Sequence, residues 1–162
     1  MNYRTLKNAI QNNLPLVWND PAPIEGNDYN ITQVFKMPEQ EPPEDEWEDT
    51  ILLIHYGGGS EAEVLPGEID FKTIVTDPAC NQTCRQIDEN VWDYAEDRIV
   101  NPETGETKRV SATINLNDYT QEEMFEAVEP FDYSLNEMCE WIDSGSPNVM
   151  LIAECIFEQS DL

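Results

Sequence analysis

The sequence predicts an α+β fold in a single domain, with a mixed or antiparallel sheet and about four helices packed on it. Three features point there. Short apolar runs bounded by Gly and Pro read as strands, as at 50–56. Two capping signatures, Thr120 with Glu123 and Ser134 with Glu137, open helical segments. A turn sequence at 101–106 separates two alternating runs, as in a hairpin.

In chain order, residues 3–14 are expected to be helical, because Tyr3, Leu6, Ile10 and Leu14 recur at helical spacing and Pro15 ends the run. Residues 15–29 read as turns, on Pro15, Pro21, Pro23, Gly26 and Asn27. Residues 30–36 suit a strand. Residues 37–49 hold seven acids, three prolines and no basic residue, which opposes packing and predicts an extended surface loop. Residues 50–56 form a buried strand, Gly57-Gly58-Gly59-Ser60 a flexible turn, and 61–65 and 69–76 further strands around Pro66-Gly67. Asp77-Pro78 supplies an N-cap and a first-turn proline, predicting a helix with Cys80, Cys84, Ile87 and Val91 on one face. Residues 92–100 and 107–116 pair across the turn, where Gly105 takes positive φ. Helices follow from Thr120 and Ser134, the second stopped by Gly145. Residues 149–157 read as an apolar strand near the centre of the sheet.

Composition bounds the function. The chain has 162 residues, 40% of them hydrophobic and four of them Trp, too apolar for a wholly disordered acidic tail. Thirty-four Asp and Glu face eight Lys and Arg, a net charge of −26. Such a surface repels nucleic acid and anionic membranes and attracts basic protein surfaces. No apolar segment follows Met1-Asn2-Tyr3-Arg4, and no run approaches the roughly 20 apolar residues of a membrane helix. A cytoplasmic protein with reduced thiols at Cys80, Cys84, Cys139 and Cys155 is the expectation.

Signatures of catalysis and cofactor binding are weak. The single histidine, His55, sits inside an apolar strand and reads as structural. Cys80 and Cys84 have three residues between them, against the usual two of a metal knuckle, and no second pair lies nearby. The Gly57–Ser60 turn lacks the Gly-Lys-Ser/Thr ending of a phosphate loop, and Glu61 and Glu63 follow it. Asn115-Leu116-Asn117-Asp118 lacks the glycine of a calcium loop. Asn30-Ile31-Thr32 and Asn81-Gln82-Thr83 match the glycosylation pattern, and with no secretion expected the matches read as accidental. The expectation is therefore a protein without enzymatic activity, metal or cofactor.

The pattern of charge says more. Residues 37–71 hold eleven acids and residues 110–162 hold twelve, with no Lys or Arg in either segment. Glu122, Glu126 and Glu129 recur at i, i+4 and i+7, opposite Met124, Phe125 and Val128. Like charges at that spacing cost about 0.2–0.5 kcal/mol per pair. A compact chain of this length is about 40 Å across, and duplex DNA carries about 24 charges over that length. The net charge is similar, and guanidinium groups pair with carboxylates as they do with phosphates.

These observations predict an acidic inhibitor that occupies the basic nucleic-acid-binding surface of a partner, such as a phage-encoded blocker of a restriction or CRISPR nuclease. Its partner-binding residues are expected at Glu44, Asp45, Glu46, Trp47, Glu48 and Asp49 in the loop, and at Glu122, Glu126 and Glu129 on the helix. Trp47 reads either as an interface anchor or as a residue that folds back to pin the loop. Two alternatives are an immunity protein neutralising a basic toxin and a virion structural or assembly protein.

Overall fold

The computed structural model describes residues 1–21 and 27–161. The chain forms two compact units, Met1–Lys72 with Ile87–Glu89 and Thr73–Gln86 with Asn90–Leu162. The fold is α+β, as the sequence predicts, with two antiparallel sheets in place of the one expected. Each unit buries its own apolar core.

In the first unit, α1 (Tyr3–Gln11) is capped by Asn2, whose side chain accepts from the Thr5 amide at 2.8 Å. It buries Tyr3, Leu6 and Ala9. The helix stops before residue 14 because Asn13 turns to φ +53°, yet Leu14 stays buried. Next come β1 (Leu16–Asp20) and β2 (Asn27–Lys36). The run 15–29 is therefore not simply turns: Leu16 and Trp18 alternate into the core, and β1 pairs with β2 from Leu16↔Ile31 onward. Pro23 and Gly26, two of the residues behind the turn reading, lie outside the described residues.

A short helix, α2 (Glu44–Glu48), precedes β3 (Leu52–Tyr56), β4 (Ser60–Val64) and β5 (Ile69–Phe71). The strand order is β4-β3-β2-β1-β5, so the last strand returns to lie beside the first. The expected extended loop at 37–49 thus contains a helical turn. Three acids in that first turn complement the helix N-terminus, and Trp47 ties the turn to the core.

In the second unit, β6 (Thr73–Asp77), β7 (Gln82–Asp88), β8 (Val91–Asn101) and β9 (Glu106–Asn115) lie in sequence order. The predicted strand at 69–76 is split at Lys72, with its halves in different sheets. The helix predicted from Asp77 is a turn followed by a strand. Asp77 Oδ1 accepts from the Ala79 amide at 2.9 Å, but Asn81 at φ +51° ends the helical path. Gln82 and Cys84 then alternate inward along β7. The β8–β9 hairpin forms as predicted, with Gly105 at φ +74°.

Three helices follow: α3 (Gln121–Val128), α4 (Leu135–Ser144) and α5 (Val149–Glu158). Both predicted capping boxes form, and Gly145 closes α4 at φ +65°. The predicted apolar strand at 149–157 is α5. A continuous apolar run suits either a central strand or a helix buried on most sides, and tertiary packing decides for the helix. Ile152, Ala153, Cys155 and Phe157 are buried, and the Phe157 ring stacks on Tyr94 of β8 with centroids 5.3 Å apart. The Tyr94 hydroxyl donates to the Met150 carbonyl at 3.0 Å. Burying a ring such as Phe157 contributes about 2–3 kcal/mol.

Candidate partner-binding surface

The acidic residues expected to bind a partner lie on two helical segments in different units. Glu44, Asp45, Glu46 and Glu48 occupy α2, and Asp49 is its C-cap. All five are exposed. Trp47, on the same turn, points the other way. It is 3% exposed, its indole N–H donates to the Met1 carbonyl at 2.9 Å, and its ring packs edge to face on Tyr3. A side chain held there has no surface to offer a partner, so Trp47 is corrected from interface anchor to internal pin. Its neighbours remain outside because a five-residue helix buries one side only.

Glu122 and Glu126 lie on α3 and Glu129 is its C-cap; all three are exposed. Buried Val128 and half-buried Met124 and Phe125 face the second core. The next helix extends this acidic set with Glu137, Glu140 and Asp143, also exposed. Among the described residues no ion pair reaches α3 or α4. The nearest basic residues in sequence, Lys108 and Arg109, lie on β9, and Arg109 pairs with Asp97 at 3.3 Å. Arg85 pairs with Asp93 at 3.6 Å, and Arg98 with Glu96 at 2.5 Å. The second unit therefore holds its cations on the sheet and leaves α3 and α4 with acids and no basic residue.

The same helical surface carries apolar residues that sequence reasoning missed. Phe131, Leu135 and Ile142 are 45%, 43% and 40% exposed. Leu135 and Ile142 are two turns apart on one face of α4, beside buried Met138. The signal was present in the sequence: Leu135, Met138, Cys139, Trp141 and Ile142 span a wider arc than one buried stripe requires.

His55 Nε2 lies 2.9 Å from Glu61 Oε1, and its ring packs edge to face on Phe35 at 4.0 Å. Cys80, Cys84, Cys139 and Cys155 are free thiols; Cys80 is exposed, and Cys84 and Cys155 are buried. Burial pushes the Cys84 and Cys155 thiols up to about 11. Among the described residues no three His, Cys, Asp or Glu side chains converge as a metal-ligand set. Among the described residues no helix is long and apolar enough to cross a membrane. The second sheet bears a shallow cavity of about 560 Å³, lined by Thr73, Thr83, Arg85, Asp93, Ser111 and Thr113 among others. There Thr113 donates to Asp93 at 2.5 Å.

One buried polar group also escaped sequence reasoning. Glu96 is 4% exposed on β8, with Arg98 at one carboxylate oxygen and Gln82 at the other. Strand alternation could have placed it inward with Trp92 and Tyr94, but its charge argued for the surface.

The chain matches no known protein family, no curated protein and no solved structure.

Proposed function

We propose that this chain is an acidic binding protein that occupies the basic nucleic-acid-binding surface of a partner protein and so inhibits it. The observation that carries the reading is the exposed acidic surface of α3 and α4, which bears no basic residue. An ordinary solvated face mixes signs to relieve like-charge repulsion, and here the relieving cations are absent from the whole segment 110–162.

The charge comparison holds for each unit separately. The first unit has sixteen acids against four basic residues, a net −12, and the second has eighteen against four, a net −14. A unit of this size is about 30 Å across, a length over which duplex DNA carries about 18 charges. Each unit alone therefore approaches the charge density of a duplex. Carboxylates on exposed helical turns, such as Glu122, Glu126 and Glu129, can accept guanidinium hydrogen bonds as phosphates do.

A second reading, neutralisation of a basic toxin in the manner of an immunity protein, is favoured by one observation. Phe131, Leu135 and Ile142 give the acidic surface apolar anchors that a nucleic-acid phosphate face lacks.

The test is affinity capture from the source cell at low salt, followed by elution with rising salt. A nucleic-acid-binding protein that leaves the column as screening shortens, and that free duplex DNA or RNA displaces, is the expected outcome. Failure to displace nucleic acid from any captured partner removes the mimic reading. Captured binding lost on Leu135→Ser/Ile142→Ser, but insensitive to competing nucleic acid, favours the immunity reading instead.

A further inference from the structure

A shallow cavity of about 370 Å³ lies between α3 and α5, lined by Tyr119, Glu123, Glu126, Ala127, Ile156 and Gln159. Glu123, Glu126 and Ala127 belong to α3, and Tyr119 precedes that helix. Ile156 is on α5 and Gln159 is its C-cap. Tyr119, Ala127 and Ile156 are half-buried against the second core and supply apolar walls. Glu123 and Glu126 are exposed and three residues apart, so they are neighbours on the helix surface. Glu122 and Glu129, the other two acids on and capping this helix, are not part of the lining.

The polar groups of this cavity are left as acceptors. The Thr120 amide donates to Glu123 Oε1 at 3.1 Å, which leaves that carboxylate its second oxygen. Glu126 makes no hydrogen bond or ion pair among the described residues. Gln159 spends its amide N–H groups on the Ala127 carbonyl and, at 3.0 Å, on the Cys155 carbonyl, so an acceptor oxygen is what remains. No Lys, Arg or His lines the cavity. Such a lining fits a group made of donors on an apolar stem, and it repels phosphate. An ammonium carries three donors around a point charge, whereas a guanidinium carries five in a plane that can bridge carboxylates and lie on an aromatic face. The volume is near the low end of ligand pockets, about 300–1,000 Å³. A shallow site of that size suits one side chain delivered on a protein surface, because a free small molecule needs most of its own surface buried.

We propose that this cavity is the socket for one arginine side chain of the basic partner. The proposal rests on the reading of that partner as a basic protein, and it names the contact by which α3 holds it. The methylene stem packs on Ala127 and Ile156, and the guanidinium plane meets the Tyr119 ring. Its N–H groups donate to Glu126 and to the open oxygen of Glu123. A second copy of this chain is a poor source of that arginine, because its net charge of −26 repels the first. The socket also divides the labour along α3. Glu126 holds a particular side chain, while Glu122 and Glu129 attract the partner without a cavity beside them.

The experiment is a methyl NMR titration of the full chain at low salt with N-acetyl-arginine amide, N-acetyl-lysine amide and the uncharged N-acetyl-citrulline amide. The arginine probe is expected to shift the Ala127 and Ile156 methyl signals saturably. The lysine probe should saturate them only at higher concentration, and the citrulline probe should leave them in place. Glu126→Gln, at an exposed position, should weaken the arginine probe about two- to five-fold, as for loss of one exposed ion pair; Glu122→Gln should weaken it less. Unmoved methyls in wild type, arginine and lysine probes of equal strength, or equal losses in the two variants overturn the socket. The wild-type titration needs no variant, so misfolding of Glu126→Gln would not shield the proposal. Failure of the socket is distinct from failure of the reading behind it. A cavity blind to arginine, in a chain whose captured partner nucleic acid displaces, removes the socket alone. A cavity that takes arginine, in a chain whose captured partner ignores nucleic acid, removes the mimic reading alone.

Discussion

Trp47 and Tyr3 meet edge to face, with ring centroids 5.5 Å apart and planes at 89°. The contact, with the hydrogen bond from Trp47 to the Met1 carbonyl, binds an acidic surface turn to the first helix of the chain. Replacing Trp47 by Ala should cost the first unit about 3–5 kcal/mol, as for large-to-small changes in a core. Trp47→Phe keeps most of the packing but leaves the Met1 carbonyl unpartnered, and should cost less. Denaturant unfolding checks both. A Trp47→Ala variant of wild-type stability would show that the side chain does not serve as a pin.

On α3 the proposed function and stability should pull apart. Glu126→Lys turns the repulsion between Glu122 and Glu126 into attraction, and should stabilise the second unit by about 0.2–0.5 kcal/mol. The same change places a cation on the surface proposed to meet a basic partner, so captured binding should weaken and its salt dependence become shallower. Thermal melts and salt-gradient elution read the two effects separately. A gain in stability with unchanged binding would move the interface off α3.

Arg98 joins β8 to α5 and to Ser160 beyond it through one guanidinium. It neutralises buried Glu96, caps the Phe157 and Ser160 carbonyls, and lies over the Phe157 ring at 5.0 Å. Arg98→Met should cost about 3–5 kcal/mol, because it leaves a buried carboxylate without its partner. Adding Glu96→Gln to Arg98→Met should recover part of the deficit, because it removes the unpaired buried charge. Denaturant unfolding of the single and double variants checks the pair; no recovery in the double variant would assign the loss to the carbonyl caps instead.

The buried thiols give a prediction in alkali. Cys84 and Cys155 are raised by burial to about 11, against about 8.5 for an exposed thiol. A group raised on folding contributes stability that is present below its unfolded value and lost as pH passes through the folded one. The second unit should therefore lose stability between about pH 8.5 and 11. At pH 8 both thiols should resist alkylation in the native chain and react once it is unfolded in denaturant. Peptide mapping after iodoacetamide treatment checks this; rapid native labelling of Cys84 or Cys155 would contradict the packing.

Local signals were legible in the sequence wherever a few neighbouring residues settle the backbone by themselves. Thr120 and Ser134 cap helices through hydrogen bonds to amides three residues on, and Gly105 and Gly145 take the positive φ their turns need. The exposure of the acids at 44–49 and on α3 was legible too, because charge keeps those side chains in water whatever lies beneath them. Where the local signal was compatible with two answers, long-range contacts chose. Residues 149–158 became a helix because Phe157 and Ile152 could be buried against β8 and its neighbours from a helical surface. Residues 82–88 became a strand because β6 and β8 offered backbone partners on both sides, and that gain exceeds one Asp-Pro helix start. The fate of Trp47, bonded to Met1, and the pairing of Glu96 with Gln82 depended on atoms far away in sequence or on other strands. Charge and capping are set by covalent neighbours, so the chain carries them in its order of residues. Burial is set by what the folded chain brings alongside, and only the tertiary structure decides it.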